Sequence, residues 1–164
     1  MTKMSDAYIA GFLDGEASIG ISVNKSTAGY PIPNIRVAFS NMHDGVLLGI
    51  KKLYGGSITG PNDNGVYALH MNGTDAYKML KAIVPYCVVK QTLARTAIRF
   101  HEVPFESPDS NPAQYIARCE AALETMRETR KGYRATRGTK MMDRLQEAID
   151  YVKERVAEDN AARG

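Results

Sequence analysis

The side chain best placed to do chemistry is Glu16, in the stretch YIAGFLDGEASIG from Tyr8 to Gly20. Ile9, Phe12 and Leu13 recur at helical spacing, and ASIGISVN reads as a strand. Gly15 is expected to supply the positive φ that stops the helix. Glu16 then stands where a helix hands over to a strand. A carboxylate fixed at such a junction suits a hard cation, which takes oxygen ligands. The other helical face holds Ala7, Ala10, Gly11 and Asp14 and is nearly bare of side chain. Small residues at this spacing let a second helix come close, so these four are read as a helix-packing face.

Two further groups of side chains suit nucleic acid. Along the first strand Ile19, Ile21 and Val23 share one face, and Ser18, Gly20, Ser22 and Asn24 share the other. After the turn-rich KSTAGYPIP the pattern resumes, with Ile35, Val37 and Phe39 against Asn34, Arg36, Ala38 and Ser40. A second hairpin, turning at PNDN, places Ile58, Tyr67, Leu69 and Met71 toward the core. It adds Ser57, Thr59, Val66, Ala68 and His70 to the polar face. That face is small and hydrogen-bonding and carries one arginine. Asn and Arg read base edges in a DNA major groove, so the face is assigned to DNA. The second group is a basic run: seven basic residues against two acidic ones between Arg127 and Arg144. Within it Arg134, Arg137 and Lys140, near Gly132 and Gly138, fit a loop that contacts phosphates.

A scaffold must position these groups. Asp44 is expected to cap a helix reaching Tyr54, with Val46, Leu47, Ile50 and Leu53 buried, and Gly55-Gly56 to end it. A helix from Thr74 or Asp75 to Val84 turns Tyr77, Leu80 and Ile83 inward and meets the breaker Pro85. Helices follow over about 90–101, 113–129 and 139–157, and the tail EDNAARG is read as loose. The fold class is therefore α+β, ordered αββαββα with extra C-terminal helices. The 164 residues suit one domain, with a core over about 5–101 and C-terminal helices over about 112–157. No apolar run approaches ~18 residues and no secretion signal opens the chain, so no membrane partner is expected and the location is read as cytoplasmic, or organellar in a eukaryote. Cys87 and Cys119 lack metal-ligand spacing and are read as reduced, packed side chains. No small-molecule substrate is expected.

IAGFLDGEA at 9–17 resembles the signature of the LAGLIDADG homing endonucleases. Ile9 stands for the first Leu, Asp14 for the first Asp, Gly15 for the Ala and Glu16 for the second, metal-binding acid. Glu replaces Asp at 16 and Ala17 replaces the last Gly. VAFSN before a helix is similar to the family segment that ends in Gln, which puts Asn41 at a polar active-site position. PYCVVKQ is similar to the segment with a lysine near the scissile phosphate, which puts Lys90 there. The motif occurs once, so the resemblance implies a homodimer in which the face of Ala7, Ala10, Gly11 and Asp14 becomes the dimer contact and the four-stranded antiparallel sheets form a DNA-binding saddle. It also implies a double-strand break in a long pseudo-palindromic site. Mg2+ would be held by Glu16 and the Gly15 carbonyl, with Mn2+ as a substitute and Ca2+ supporting binding without cleavage. Lys90 would relieve charge on the phosphate or polarise a water, and Asn41 would orient water. The alternatives are a non-cleaving DNA-binding regulator, an RNA-binding intron maturase on the same fold, and an unrelated α+β protein with a chance motif. Magnesium-dependent cutting of duplex DNA separates the first reading from the others.

Overall fold

A computed structural model describes residues 4–131 and 139–164. Helix α1 (Asp6–Glu16) begins at Ser5, whose side chain accepts the Tyr8 N–H at 3.2 Å, with Asp6 at the positive end of the helix dipole. Gly15 lies inside this helix and is not its stop. The helix ends after Glu16 because Ala17 turns extended (φ −107°, ψ 157°) while its N–H still reaches the Leu13 carbonyl. Strands β1 (Ala17–Lys25) and β2 (Pro31–Asn41) follow, then α2 (Asp44–Tyr54), β3 (Ser57–Thr59), β4 (Tyr67–Asn72) and α3 (Gly73–Ile83). A single 3₁₀ turn (Val84–Tyr86) leads to α4 (Gln91–Glu102), α5 (Pro112–Arg130) and α6 (Thr139–Arg163). The expected element order holds.

The four strands form one antiparallel sheet in the order β1-β2-β4-β3. Its register pairs Phe39 with Leu69 and Leu69 with Ile58, so the large apolar residues share a face. Ala38 pairs with His70 and His70 with Ser57, while Ser40 pairs with Ala68 and Ala68 with Thr59. Successive residues in a strand alternate faces, so this second set occupies the opposite, polar face.

Besides Gly15, four local readings change. Asp44 is the first residue of α2 rather than its cap; His43 occupies the cap without a side-chain bond. Leu53 is 44% exposed. Val66 precedes β4, its N–H held by the Asn62 side chain at 3.0 Å. The tail is helical through Arg163. Between α2 and β3 the chain turns at Gly55 (φ +90°) and Gly56 (φ +95°). A Cβ at Gly56 would lie 2.8 Å from the His70 carbonyl oxygen, so glycine is required there by space as well as by angle.

The chain divides into two compact units. One joins the residues up to Gly20 with Ile35–Ile98, and the other joins Ile21–Asn34 with Arg99–Gly164. In the first, Ile9, Leu13, Phe39, Leu47, Leu69 and Met79 are fully buried, and Phe12 stacks on Phe39 with ring centroids 5.6 Å apart. In the second, α5 packs along α6, and the buried Tyr115 donates its hydroxyl to the Pro31 carbonyl at 3.0 Å. The buried Arg118 lies 4.0 Å over the Phe100 ring and donates to the carbonyls of Phe100, His101 and Val103.

Candidate active site and nucleic-acid interface

The C-terminal turn of α1 is the centre of the site. Glu16 is exposed, and among the described residues its carboxylate makes no hydrogen bond or ion pair. Lys90, just before α4, reaches this turn. Its Nζ donates to the Leu13 carbonyl at 2.9 Å and to the Asp14 carbonyl at 2.6 Å. These are carbonyls of the last helical turn, where a cation also meets the negative end of the helix dipole. An ammonium has three N–H donors, so one remains for anything beyond the chain. Partial burial pulls the Lys90 ammonium below the usual lysine range, against the attraction of Asp14, Cys87 and Glu16 for its charge.

Asp14 faces the same segment. Its carboxylate accepts the N–H of Val88 at 2.7 Å, of Val89 at 3.1 Å and of Lys90 at 2.9 Å. Burial works to raise its pKa, but these three bonds and the Lys90 charge outweigh it and hold the carboxyl below its ordinary value. Asp14 was expected at a dimer contact; within the chain both of its oxygens already hold main-chain N–H groups. For Ala10 the expectation is corrected. It is fully buried in the core of its own unit, because the buried face of α1 spans Ile9, Ala10 and Leu13. Ala7, Gly11 and Gly15 remain exposed as a strip. A Cβ on Gly11 or Gly15 would meet nothing within 4 Å, so nothing in the chain itself requires glycine at either place. Large apolar side chains also stand open: Tyr8, Tyr86, Val88 and Val89, the last two 84% and 76% exposed. Of these, the VV pair between a proline turn and a helix is the signal visible in the sequence.

Among the described residues no three His, Cys, Asp or Glu groups cluster as a metal cage. At the end of α1 the exposed carboxylate is that of Glu16, with the Gly15 carbonyl in the same helical turn. An oxygen-only set with few protein ligands fits a magnesium-like ion that retains waters. Asn41 lies at the end of β2 on the core-facing side, paired with Tyr67, and its Oδ1 accepts the His43 N–H at 2.8 Å. Among the described residues no hydrogen bond joins it to Glu16 or Lys90.

On the polar face of the sheet, Arg36, His70 and Thr59 are linked across three strands. The Arg36 guanidinium meets His70 Nδ1 at 3.3 Å, and His70 Nε2 meets Thr59 Oγ1 at 3.4 Å. Arginine only donates, so Nδ1 accepts and the ring proton of neutral His70 sits on Nε2, facing Thr59. Alternation along β1 and β2 puts Ser18, Gly20, Ser22, Asn24, Asn34, Ala38 and Ser40 on polar-face positions. Ser22 donates its hydroxyl to the Asn34 carbonyl at 3.4 Å. Ser57 and Ala68 join this face through their pairing, whereas Val66 lies outside the strand. Lys140 is exposed in the first turn of α6. Arg134 and Arg137 lie outside the described residues. Among the described residues no helix is long and apolar enough to cross a membrane.

Residues 9–103 match the family model described as LAGLIDADG endonuclease. Among solved structures, the chain is similar to the homing endonuclease I-CvuI in complex with the I-CreI target in 2 mM Mg, with the DNA not cleaved, at 19% identity and a TM-score of 0.70, covering 90% of this chain and 94% of that one. I-CvuI is also seen with its own target in 2 mM Ca. The archaeal intron-encoded homing endonuclease I-Vdi141I, complexed with DNA, is 16% identical with a TM-score of 0.67, over 91% of this chain and 94% of that one. The homing endonuclease I-TnaI is 17% identical with a TM-score of 0.57, over 92% and 99%. At these identities the likeness is one of fold. No curated protein matches the chain.

Proposed function

Because this chain belongs to the LAGLIDADG endonuclease family, we propose that it is a site-specific homing endonuclease that acts as a homodimer and makes a metal-dependent double-strand break in a long, pseudo-palindromic DNA site. The observation that carries the reading is the end of α1, where an exposed carboxylate, Glu16, stands beside a lysine already anchored by two main-chain carbonyls. The DNA complexes of I-CvuI in Mg, where the DNA is not cleaved, and in Ca support a divalent ion at the DNA-bound site. Under this proposal Mg2+ is the working ion and Ca2+ allows binding alone. Mn2+ is expected to substitute.

Glu16 and the Gly15 carbonyl would hold the ion, with Glu16 of a second copy opposite. When bound, it supplies charge neutralisation at phosphorus and a more acidic attacking water. Lys90 uses its third N–H on the scissile phosphate or on a water beside it. Its two carbonyl bonds fix where that N–H points, so no reorientation is needed as charge develops. Asn41 would orient water through its amide NH2 or the second lone pair of Oδ1. The exposed strip of Ala7, Gly11 and Gly15, with Tyr8, Val88 and Val89 around it, supports α1 as the surface that meets the second copy. A two-fold pair then presents the same polar sheet face to both half-sites.

Glu16→Gln tests the assignment. It keeps size and hydrogen bonding and removes the charge. Magnesium-dependent cleavage should fall by orders of magnitude while binding to the same duplex in calcium persists. Full cleavage by a folded Glu16→Gln protein would rule out the metal role and favour a regulator in which α1 only dimerises. Binding by the wild type without cutting under magnesium points to the regulator or maturase alternatives.

A further inference from the structure

We propose that Asp14 is a positioning residue of the cleavage centre, holding residues 88–90 in the one path that brings the Lys90 ammonium to the end of α1 beside Glu16. The proposal rests on the reading of Lys90 and Glu16 as groups of that centre.

Apart from the Lys90 carbonyl, which accepts the Ala94 N–H at 2.8 Å where α4 opens, the segment has little else to hold it. It lies between the 3₁₀ turn at Val84–Tyr86 and the start of α4, and belongs to no helix or strand. Val88 and Val89 are 84% and 76% exposed, so burial of their side chains anchors nothing. What fixes it is the Asp14 carboxylate, which accepts three consecutive main-chain N–H groups, with Oδ2 on Val88 and Val89 and Oδ1 on Lys90. Hydrogen bonds to a charged acceptor are among the stronger ones a chain can make. Lys90 is thus gripped at both ends by one turn of helix. Its own N–H goes to the Asp14 side chain, and its Nζ goes to the carbonyls of Leu13 and Asp14. Only with the main chain of residue 90 held at this point does the lysine side chain reach back to those carbonyls. A bare helical face made for a second helix would need a small residue at position 14, not a carboxylate. The clamp accounts for the acid.

The test uses the full chain with Asp14→Asn. The amide keeps the size but offers one acceptor oxygen, and its NH2 opposes the main-chain N–H groups. Hydrogen exchange at the amides of Val88, Val89 and Lys90 should speed up. Single-turnover cleavage in magnesium should fall about tenfold or more, the scale at which outer partners of active-site groups act. Affinity for the same duplex in calcium and the sedimentation of the protein should stay at wild-type values. The decisive measurement is the double variant with Lys90→Met. If Asp14 acts through Lys90, adding Asp14→Asn to Lys90→Met costs no further rate. If Lys90→Met alone leaves cleavage unchanged, the reading of Lys90 itself falls. If Lys90→Met slows cleavage but Asp14→Asn does not, or the two losses multiply, the clamp is overturned. Should Asp14→Asn fail to fold, Val88→Pro removes one donor without touching the carboxylate. Cys87 before it is already extended (φ −71°, ψ 141°), as a residue preceding proline must be. Val88→Pro should speed exchange at Val89 and Lys90 and slow cleavage; no change in either overturns the proposal.

Discussion

Gly11→Ala gives opposite results depending on whether α1 meets a second helix. Gly11 is exposed in the middle of α1, and an added methyl there touches nothing within 4 Å. In an isolated chain the substitution is therefore free of clash and gains helix propensity, about 0.8–1.0 kcal/mol. For a protein of this size that raises the melting temperature by about 2–4 °C. If two α1 helices pack through this strip, each methyl enters a closed interface. Overpacking of this kind costs about 1–3 kcal/mol per site. Two-fold symmetry applies it twice, so the dimer loses roughly 2–6 kcal/mol, or about 30-fold to more than 10⁴-fold in its dissociation constant. Sedimentation equilibrium over a wide concentration range measures that constant, and melts at high dilution measure the separated chain. The dimer reading expects weaker association together with an unchanged or higher melting temperature for the dilute chain. A Gly11→Ala protein that associates like the wild type and simply melts higher would refute the argument that the strip is a packing surface.

Three other outcomes follow from the geometry. Because Arg36 and His70 touch, their effects on base preference should be coupled: His70→Ala should change preference at the position read by Arg36, and the double variant should differ from the sum of the singles in a selection from a randomised duplex library. Lys140→Ala should weaken binding to all sequences alike and lower the slope of log affinity against log salt by about 1. Asp14 has a pKa lowered in the folded chain, so its charge adds stability above the ordinary carboxyl value and loses that advantage as pH falls through the lowered one. The stability gap between wild type and Asp14→Asn in urea should be constant near neutrality and shrink below about pH 5.

The sheet was legible because alternation carries its own register. Once Ile35, Val37 and Phe39 must face the core, Asn34, Arg36, Ala38 and Ser40 have only the other face, and the partner strand is bound by the same rule. Glu16 was legible for a related reason, since the change from helical to strand periodicity falls beside it. What escaped the sequence depended on distant partners. Nothing near Asp14 shows that its oxygens belong to amides 74 to 76 positions away. Ala10 looked like part of the bare strip because small size marks a close approach without saying whose backbone approaches. Gly15 was read as a helix stop on its backbone freedom, but it keeps helical angles. The end of α6 was missed because no apolar residue after Val156 anchors it, while its alanines and charged residues carry the helix on to Arg163.

The composition of the second unit bears on where the chain can be cut. It is assembled from two stretches far apart in sequence, Ile21–Asn34 and Arg99–Gly164. The Tyr115 hydroxyl on the Pro31 carbonyl, and the Tyr30 ring against Tyr115 at 5.8 Å, fasten one to the other. A stop codon just past the family-matched region at residue 103 would spare the signature, Lys90 and all four strands, yet would strip the hairpin tip of every partner that α5 and α6 supply. The region that identifies the family is therefore not a transplantable module. Shortened genes that keep it intact should yield insoluble or protease-sensitive products, and chimaeras should exchange the hairpin tip and the C-terminal helices as one piece.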